Sequence, residues 1–177
     1  YYMKPDSTGA AIFETFFSRW VHRVAAERFD NQNAVEIAGA IGGLSLELLS
    51  KDQHGWFKNG NREEAIVATA CEVIDDLSSR LGDDMVHWTW GDLHKIDLKH
   101  YLDDRGGAFG LVRRGGIPVG GSGTTVCNTG YDPTYMAAMG ANFRIVADLA
   151  ESPAGLWAVD AAGQSGSPGS PNYCDQL

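Results

Sequence analysis

Between residues 9 and 29, Phe13, Phe16, Phe17, Trp20, Val21 and Val24 recur at spacings of three and four. That period predicts an amphipathic helix with one apolar face. Asp6, Ser7 or Thr8 can supply its N-cap. Residues 33–50 carry Val35, Ala38, Ile41, Leu44 and Leu48 in the same rhythm and predict a second helix. Gly42 and Gly43 lie inside it, each weakening it by about 1 kcal/mol relative to alanine. Residues 51–60 contain Gln53-His54-Gly55-Trp56 and Asn59-Gly60 and read as loop. The clearest helix follows. Asn61 is placed to cap it, and Glu64 to close a capping box. Ile66, Val67, Ala70, Ile74, Leu77 and Leu81 form its expected buried face. Arg80 suits its last turn and Gly82 its C-terminal cap.

From Asp83 the rhythm changes. Residues 87–100 show no sustained period, and residues 105–123 are glycine-rich and read as loop. Residues 124–128 predict a short strand. Residues 142–149 alternate, with Phe143, Ile145, Ala147 and Leu149 on one side and Asn142, Arg144, Val146 and Asp148 on the other. Residues 156–161 predict a further strand, and 163–172 return to Gly, Ser and Pro. The order is helices, then a few mainly antiparallel strands, which is an α+β class. The expected organisation is a single partial domain over 1–177, helical over 1–82, loop-rich over 83–123, with strands and Gly/Ser/Pro-rich loops over 124–177.

Composition narrows the function. Apolar residues make up 44% of the 177, enough for a core. The net charge of −9 and pI near 4.9 disfavour nucleic acid and anionic membranes, and Arg113-Arg114 is an isolated basic pair. No apolar run approaches the roughly 20 residues of a membrane span. Cys71, Cys127 and Cys174 form no zinc spacing. Cys71 lies on an apolar helix face and is expected buried; a pairing among the three is not chosen by the sequence. With Tyr1 in place of Met, and a structured-looking stretch running to Leu177, both ends read as cut.

Candidate chemistry can be tested on residue types. Gly115, Gly120 and Ser122 have P-loop spacing, but Gly121 stands where the phosphate-binding lysine belongs. A Gly-x-Ser-x-Gly elbow fails at Thr124 for Ser122 and at Ser167 for Ser165. All five histidines precede both serines. His87, His94 and His100, near Asp92, Asp97 and Asp103, are suitable metal ligands in type but match no known spacing. Trp88 and Trp90 could stack on a flat ligand such as a sugar, although packing is the commoner use of such a pair.

Three ordered stretches carry a resemblance. The first is Trp90-Gly91-Asp92-Leu93-His94. The second runs Gly120-Gly121-Ser122-Gly123-Thr124-Thr125-Val126-Cys127-Asn128, then Gly140-Ala141-Asn142-Phe143-Arg144-Ile145-Val146-Ala147-Asp148-Leu149. The third is Gly163-Gln164-Ser165-Gly166-Ser167-Pro168, then Ser170-Pro171-Asn172-Tyr173-Cys174-Asp175-Gln176. Together they resemble the C-terminal part of the β subunit in the penicillin amidase family of N-terminal-nucleophile hydrolases. Asn172 stands where that family usually has histidine.

The resemblance implies an αββα sandwich in a parent enzyme, autocatalytic cleavage into α and β subunits, and a periplasmic or secreted location. It implies hydrolysis of an amide joining an acyl group to an amine, as in β-lactam side chains, N-acyl-homoserine lactones or lipopeptides. The family's nucleophile is a serine at the start of the β subunit, activated by its own α-amino group. Tyr1 is not that serine. The oxyanion asparagine and the calcium ligands of the family also fall outside the matching residues. The expectation is an amidohydrolase fragment, inactive alone, without catalytic, cofactor or metal residues of its own. Its partners would be the rest of the β subunit and the α subunit, and its exposed edges could self-associate.

Structural roles are expected for Trp90, Gly91, His94, Asn128, Arg144, Asp148, Gln164, Ser165, Gly166, Asp175 and Gln176. His94 would pin its loop through a hydrogen bond, and Arg144 and Asp148 would share a strand face. The loop 163–168 would turn the chain between strands. Two other readings are a self-standing binding module using Trp88 and Trp90, and a metal-dependent hydrolase using the His87–His100 stretch.

Overall fold

A computed structural model describes residues 3–58, 60–98, 114–140, 143–160, 163, 165–167 and 169–173. The fold is α+β, with helices first and small antiparallel sheets after them. The chain forms two compact units, Ser7–Thr89 and Tyr1–Asp6 with Trp90–Leu177.

The first unit is helical. Helix α1 runs Thr8–Ala26, and Ser7 caps it by accepting the Ala10 amide at 3.1 Å. Helices α2 (Asn31–Ala38) and α3 (Gly42–Ser50) replace the single helix expected over 33–50. The helix breaks at residues 39–41, and the glycine pair becomes the first turn of α3. Two adjacent glycines do not sustain helical backbone through an interior, so the weak point becomes a boundary. The break alters what is buried. Ala34 and Ala38 face inward, whereas Val35 is 64% exposed.

Helix α4 spans Arg62–Leu81 and ends at Gly82, whose φ of 89° suits glycine. Its buried residues are Ala65, Thr69, Val73 and Leu77, with Val67 and Ile74 exposed. The inward face is therefore turned by about one residue from the expected one. The two apolar stripes overlap on the helical wheel, and α1 takes the side carrying the smaller residues, where close approach is easiest. Asn61 stands at the N-cap position but makes no side-chain cap bond, so the expected capping box is not formed. Cys71 is exposed rather than buried, a consequence of the same rotation.

The helical core is Trp20, Val24, Leu48, Phe57 and Ala65, with Phe16, Phe17, Ile41, Leu44, Leu49, Trp56 and Ile66 packed against it. Each fully buried large side chain contributes about 1.5–3 kcal/mol. The indoles bury without stranding their N–H groups: Trp20 donates to Ser45 O at 2.7 Å and Trp56 to Val24 O at 2.8 Å. Asp52 accepts the amides of Trp56 and Phe57 and so fixes the loop that delivers both rings. Ion pairs Arg19–Asp76 and Arg23–Glu72 link α1 to α4 at the rim. Solvent screening leaves each worth about 1 kcal/mol or less.

The second unit begins with the one-turn helix α5 (Trp90–Leu93). Strand β1 (Lys95–Leu98) pairs antiparallel with β2 (Arg114–Pro118), with an irregularity between Ile96 and Leu98. Both strands fall where the sequence read as irregular, because four or five residues are too few to show alternation. The expected strand over 124–128 is instead a turn closed by an isolated bridge between Ser122 and Asn128. Strands β3 (Phe143–Asp148) and β4 (Gly155–Asp160) form a regular antiparallel hairpin. None of the described residues over 163–173 belongs to a strand. That stretch closes on itself, with the Ser165 amide donating to Asn172 O at 3.1 Å.

Candidate functional site

The densest set of recognised residues converges on α5. Trp90 and His94 lie one helical turn apart, so their rings share a face. They stack at 4.6 Å between centroids, and both are fully buried. Tyr131 meets Trp90 edge-on at 5.6 Å and His94 at 5.8 Å, and Tyr135 meets Trp90 at 6.4 Å. The Trp90 indole donates to Gly121 O at 2.9 Å.

Nδ1 of His94 is hydrogen-bonded, and Nε2 faces a hydroxyl whose one hydrogen goes elsewhere. Nδ1 lies 2.9 Å from Tyr135 O, and Nε2 lies 3.0 Å from Thr129 Oγ1. A carbonyl only accepts, which assigns the ring hydrogen to Nδ1. The Thr129 hydroxyl donates to Gly120 O at 2.6 Å. Burial pushes the His94 pKa below the ordinary histidine value, and the bond to the Tyr135 carbonyl opposes this more weakly. The neutral ring is thus a cross-link between α5 and the loop over 120–135.

Glycine is required where this cluster meets residues 3–5. A Cβ on Gly91 would lie 2.8 Å from both Pro118 Cβ and Pro5 Cβ. One on Gly120 would strike Met3 O, and one on Gly121 would strike Cys127 O. Gly121 also has a φ of 82°, in the region that favours glycine.

The remaining recognised residues that the structure describes do not join this cluster. Asn128 is exposed and donates to Gly123 O at 3.2 Å. Asp148 accepts the Ala150 amide at 2.9 Å at the end of β3. Arg144 pairs with Val159 in the β3–β4 register, four pairs from Asp148–Gly155. Ser165 Oγ accepts the Ser167 amide at 3.1 Å, and Gly166 is exposed. Gln164, Asp175, Gln176 and Cys174 lie outside the described residues, as do His100 and Asp103.

The alternative chemistries find little geometry. Trp88 is 1% exposed with its indole donating to Gly82 O at 2.7 Å, and Trp90 is buried, so neither ring offers a face to a ligand. Ser122 is 2% exposed, and its hydroxyl neighbours Thr124 rather than a histidine. His87 is exposed and lies 3.8 Å from Asp84. Among the described residues, no three His, Cys, Asp or Glu side chains converge as a ligand set. No described helix is long and apolar enough to cross a membrane.

Thr129, Tyr131 and Tyr135 are the site residues that sequence reading missed. Thr129 directly follows the glycine-rich stretch that ends at Asn128, which is the one available signal.

Comparison with known proteins places this geometry in a lineage. The family described as penicillin amidase matches residues 1–177. An acyl-homoserine lactone acylase QuiP of Pseudomonas fluorescens is 27% identical over 99% of this chain and 22% of its own length. The protein of the same name from Pseudomonas syringae pv. syringae is 28% identical over 99% of the chain and 23% of its own. A penicillin acylase 2 proenzyme from a Pseudomonas species is 31% identical over 73% of the chain and 16% of its own. The chain thus spans less than a quarter of the length of the curated relatives it matches. The chain belongs to the penicillin amidase family.

Proposed function

We propose that this chain is a structural part of an acylase that hydrolyses the amide between an acyl group and an amine, and that it supplies scaffold rather than catalytic groups. The observation that carries the reading is the family match along the whole chain, together with relatives whose names specify acyl-homoserine lactone and penicillin acylases. The acyl-homoserine lactone class is the favoured substrate, since those relatives match the chain over nearly its full length.

Two structural features support the scaffold role. His94 is fully buried, with Nδ1 donating to Tyr135 O and Nε2 facing Thr129 inside the cluster, so its ring offers no nitrogen to a bound substrate. The β3–β4 hairpin carries exposed apolar side chains on both faces. Ile145 and Ala147 pair with Ala158 and Leu156 on one face, and Val146 pairs with Trp157 on the other. Ile145, Val146, Leu156 and Trp157 are each more than half exposed. A hairpin of this kind suits a sheet covered on both sides, as in an αββα sandwich completed by the remainder of the β subunit and the α subunit. A periplasmic or secreted location belongs to the same reading.

The test is a graft. This chain replaces the aligned 190-residue segment of the Pseudomonas fluorescens relative, and amine release from a long-chain N-acyl-homoserine lactone is followed. The chimera should turn over, and this chain alone should release nothing. Turnover by the chain alone would refute the scaffold role. A folded chimera that hydrolyses no acyl amide would refute the acylase reading.

A further inference from the structure

Residues 3–5 run along the Trp90–His94 cluster and make two backbone hydrogen bonds to it. The Gly91 amide donates to Pro5 O at 2.6 Å, and the Gly121 amide donates to Met3 O at 2.8 Å. Gly91 and Gly120 leave no space for a Cβ on the side that faces this segment.

Each of these amides belongs to a peptide group whose carbonyl is held from the opposite side. The Gly91 amide shares its peptide with Trp90 O, which accepts the His94 amide at 2.7 Å. The Gly121 amide shares its peptide with Gly120 O, which accepts the Thr129 hydroxyl, and that hydroxyl contacts His94 Nε2. A trans peptide is planar, so fixing its carbonyl aims its N–H. Hydrogen bonding at the carbonyl also polarises the N–H and strengthens its bond. The His94 backbone amide therefore stands behind the first bond, and the Thr129 hydroxyl stands behind the second.

We propose that residues 3–5 form a releasable strap and that Thr129 is the positioning residue that seats it, acting through the Gly120–Gly121 peptide. The strap is lightly held. Among the described residues two hydrogen bonds bind it, Lys4 is exposed, and Met3 and Pro5 are only partly buried. Segments with few buried apolar contacts open below the global unfolding free energy. This inference is independent of the acylase reading, because it concerns only how the chain holds its own residues 3–5.

The experiment is amide hydrogen exchange by NMR on the full chain, in low denaturant and corrected for intrinsic rates. Gly91 and Gly121 should open together, faster than the buried amides of α1. Separate opening of the two amides, or opening only with global unfolding, would overturn the strap. Thr129→Val should then speed exchange at Gly121 by about fivefold to tenfold, the loss of roughly one hydrogen bond, and Gly91 should follow. Thr129→Ser keeps the hydroxyl and should restore the slow rates. Exchange unchanged in Thr129→Val, or equally fast in Thr129→Ser, would overturn the role of the hydroxyl. If Thr129→Val does not fold, the unaltered chain and Thr129→Ser still decide whether the strap exists.

Discussion

Replacing His94 with phenylalanine separates the two things the imidazole does. Phenylalanine keeps an aromatic ring against Trp90, where the present stack has a centroid distance of 4.6 Å. It removes the donor to Tyr135 O and the partner of Thr129 Oγ1. Tyr135 is 3% exposed, so water does not readily replace the lost donor. A buried carbonyl left unpaired costs about 1–3 kcal/mol. Thr129 keeps its bond to Gly120 O, and that limits the loss. The expected destabilisation is about 1–3 kcal/mol, a drop of several degrees in Tm for a chain of this size. Urea unfolding followed by near-ultraviolet circular dichroism reads it as a lower midpoint at unchanged slope. His94→Phe with the stability of the parent would refute the claim that hydrogen bonds, rather than ring packing, hold α5 to the 120–135 loop.

Three further outcomes follow from the same structure. Because burial lowers the folded-state pKa of His94 below 6.5, the unfolded chain binds this proton first as pH falls. Among the described residues, the titratable side chains in the aromatic cluster of His94 are the phenols of Tyr131 and Tyr135. The stability that His94 contributes should therefore be complete above pH 6.5 and drain away as pH falls through its folded pKa; His94→Phe should lack this dependence, and equal acid sensitivity in both proteins would refute the assignment. Leu77→Ala should cost about 2–5 kcal/mol by opening a cavity, whereas Val67→Ala on the exposed side of α4 should stay within about 0.5 kcal/mol; equal losses in chemical unfolding would place the α4 interface wrongly. Val146→Lys on the open hairpin should leave Tm nearly unchanged and reduce self-association in sedimentation velocity, and a Tm drop of several degrees would show that Val146 is buried within the chain.

Much of the helical unit was legible because its signal is local. Ser7 capping α1, the length of α4, Gly82 ending it, and the alternation of β3 and β4 all arise from residues within a few positions of one another. The misreadings share a different cause. Val35 and Cys71 were placed inward on stripes that looked apolar, but the inward side of a helix is chosen by its neighbours. Gly42 and Gly43 marked a weakness, and only packing decided that the helix would divide there. Strands β1 and β2 pair residues from segments too short to alternate visibly.

The candidate site shows the same division. The Trp90–His94 stretch was recognisable, and a hydrogen-bonding role for His94 follows from its chemistry. Its partners were not recognisable, because Thr129, Tyr131 and Tyr135 arrive from a loop with no periodic signal. The seat for residues 3–5 was further still from view, since Met3 and Pro5 meet glycines distant in the chain. The sequence by itself determined the family, the helical periodicity and the glycine positions, because each is written in neighbouring residues. The tertiary structure alone decided which faces are buried, where His94 sends its two nitrogens, and what the glycines make room for, because those depend on contacts between residues far apart in the chain.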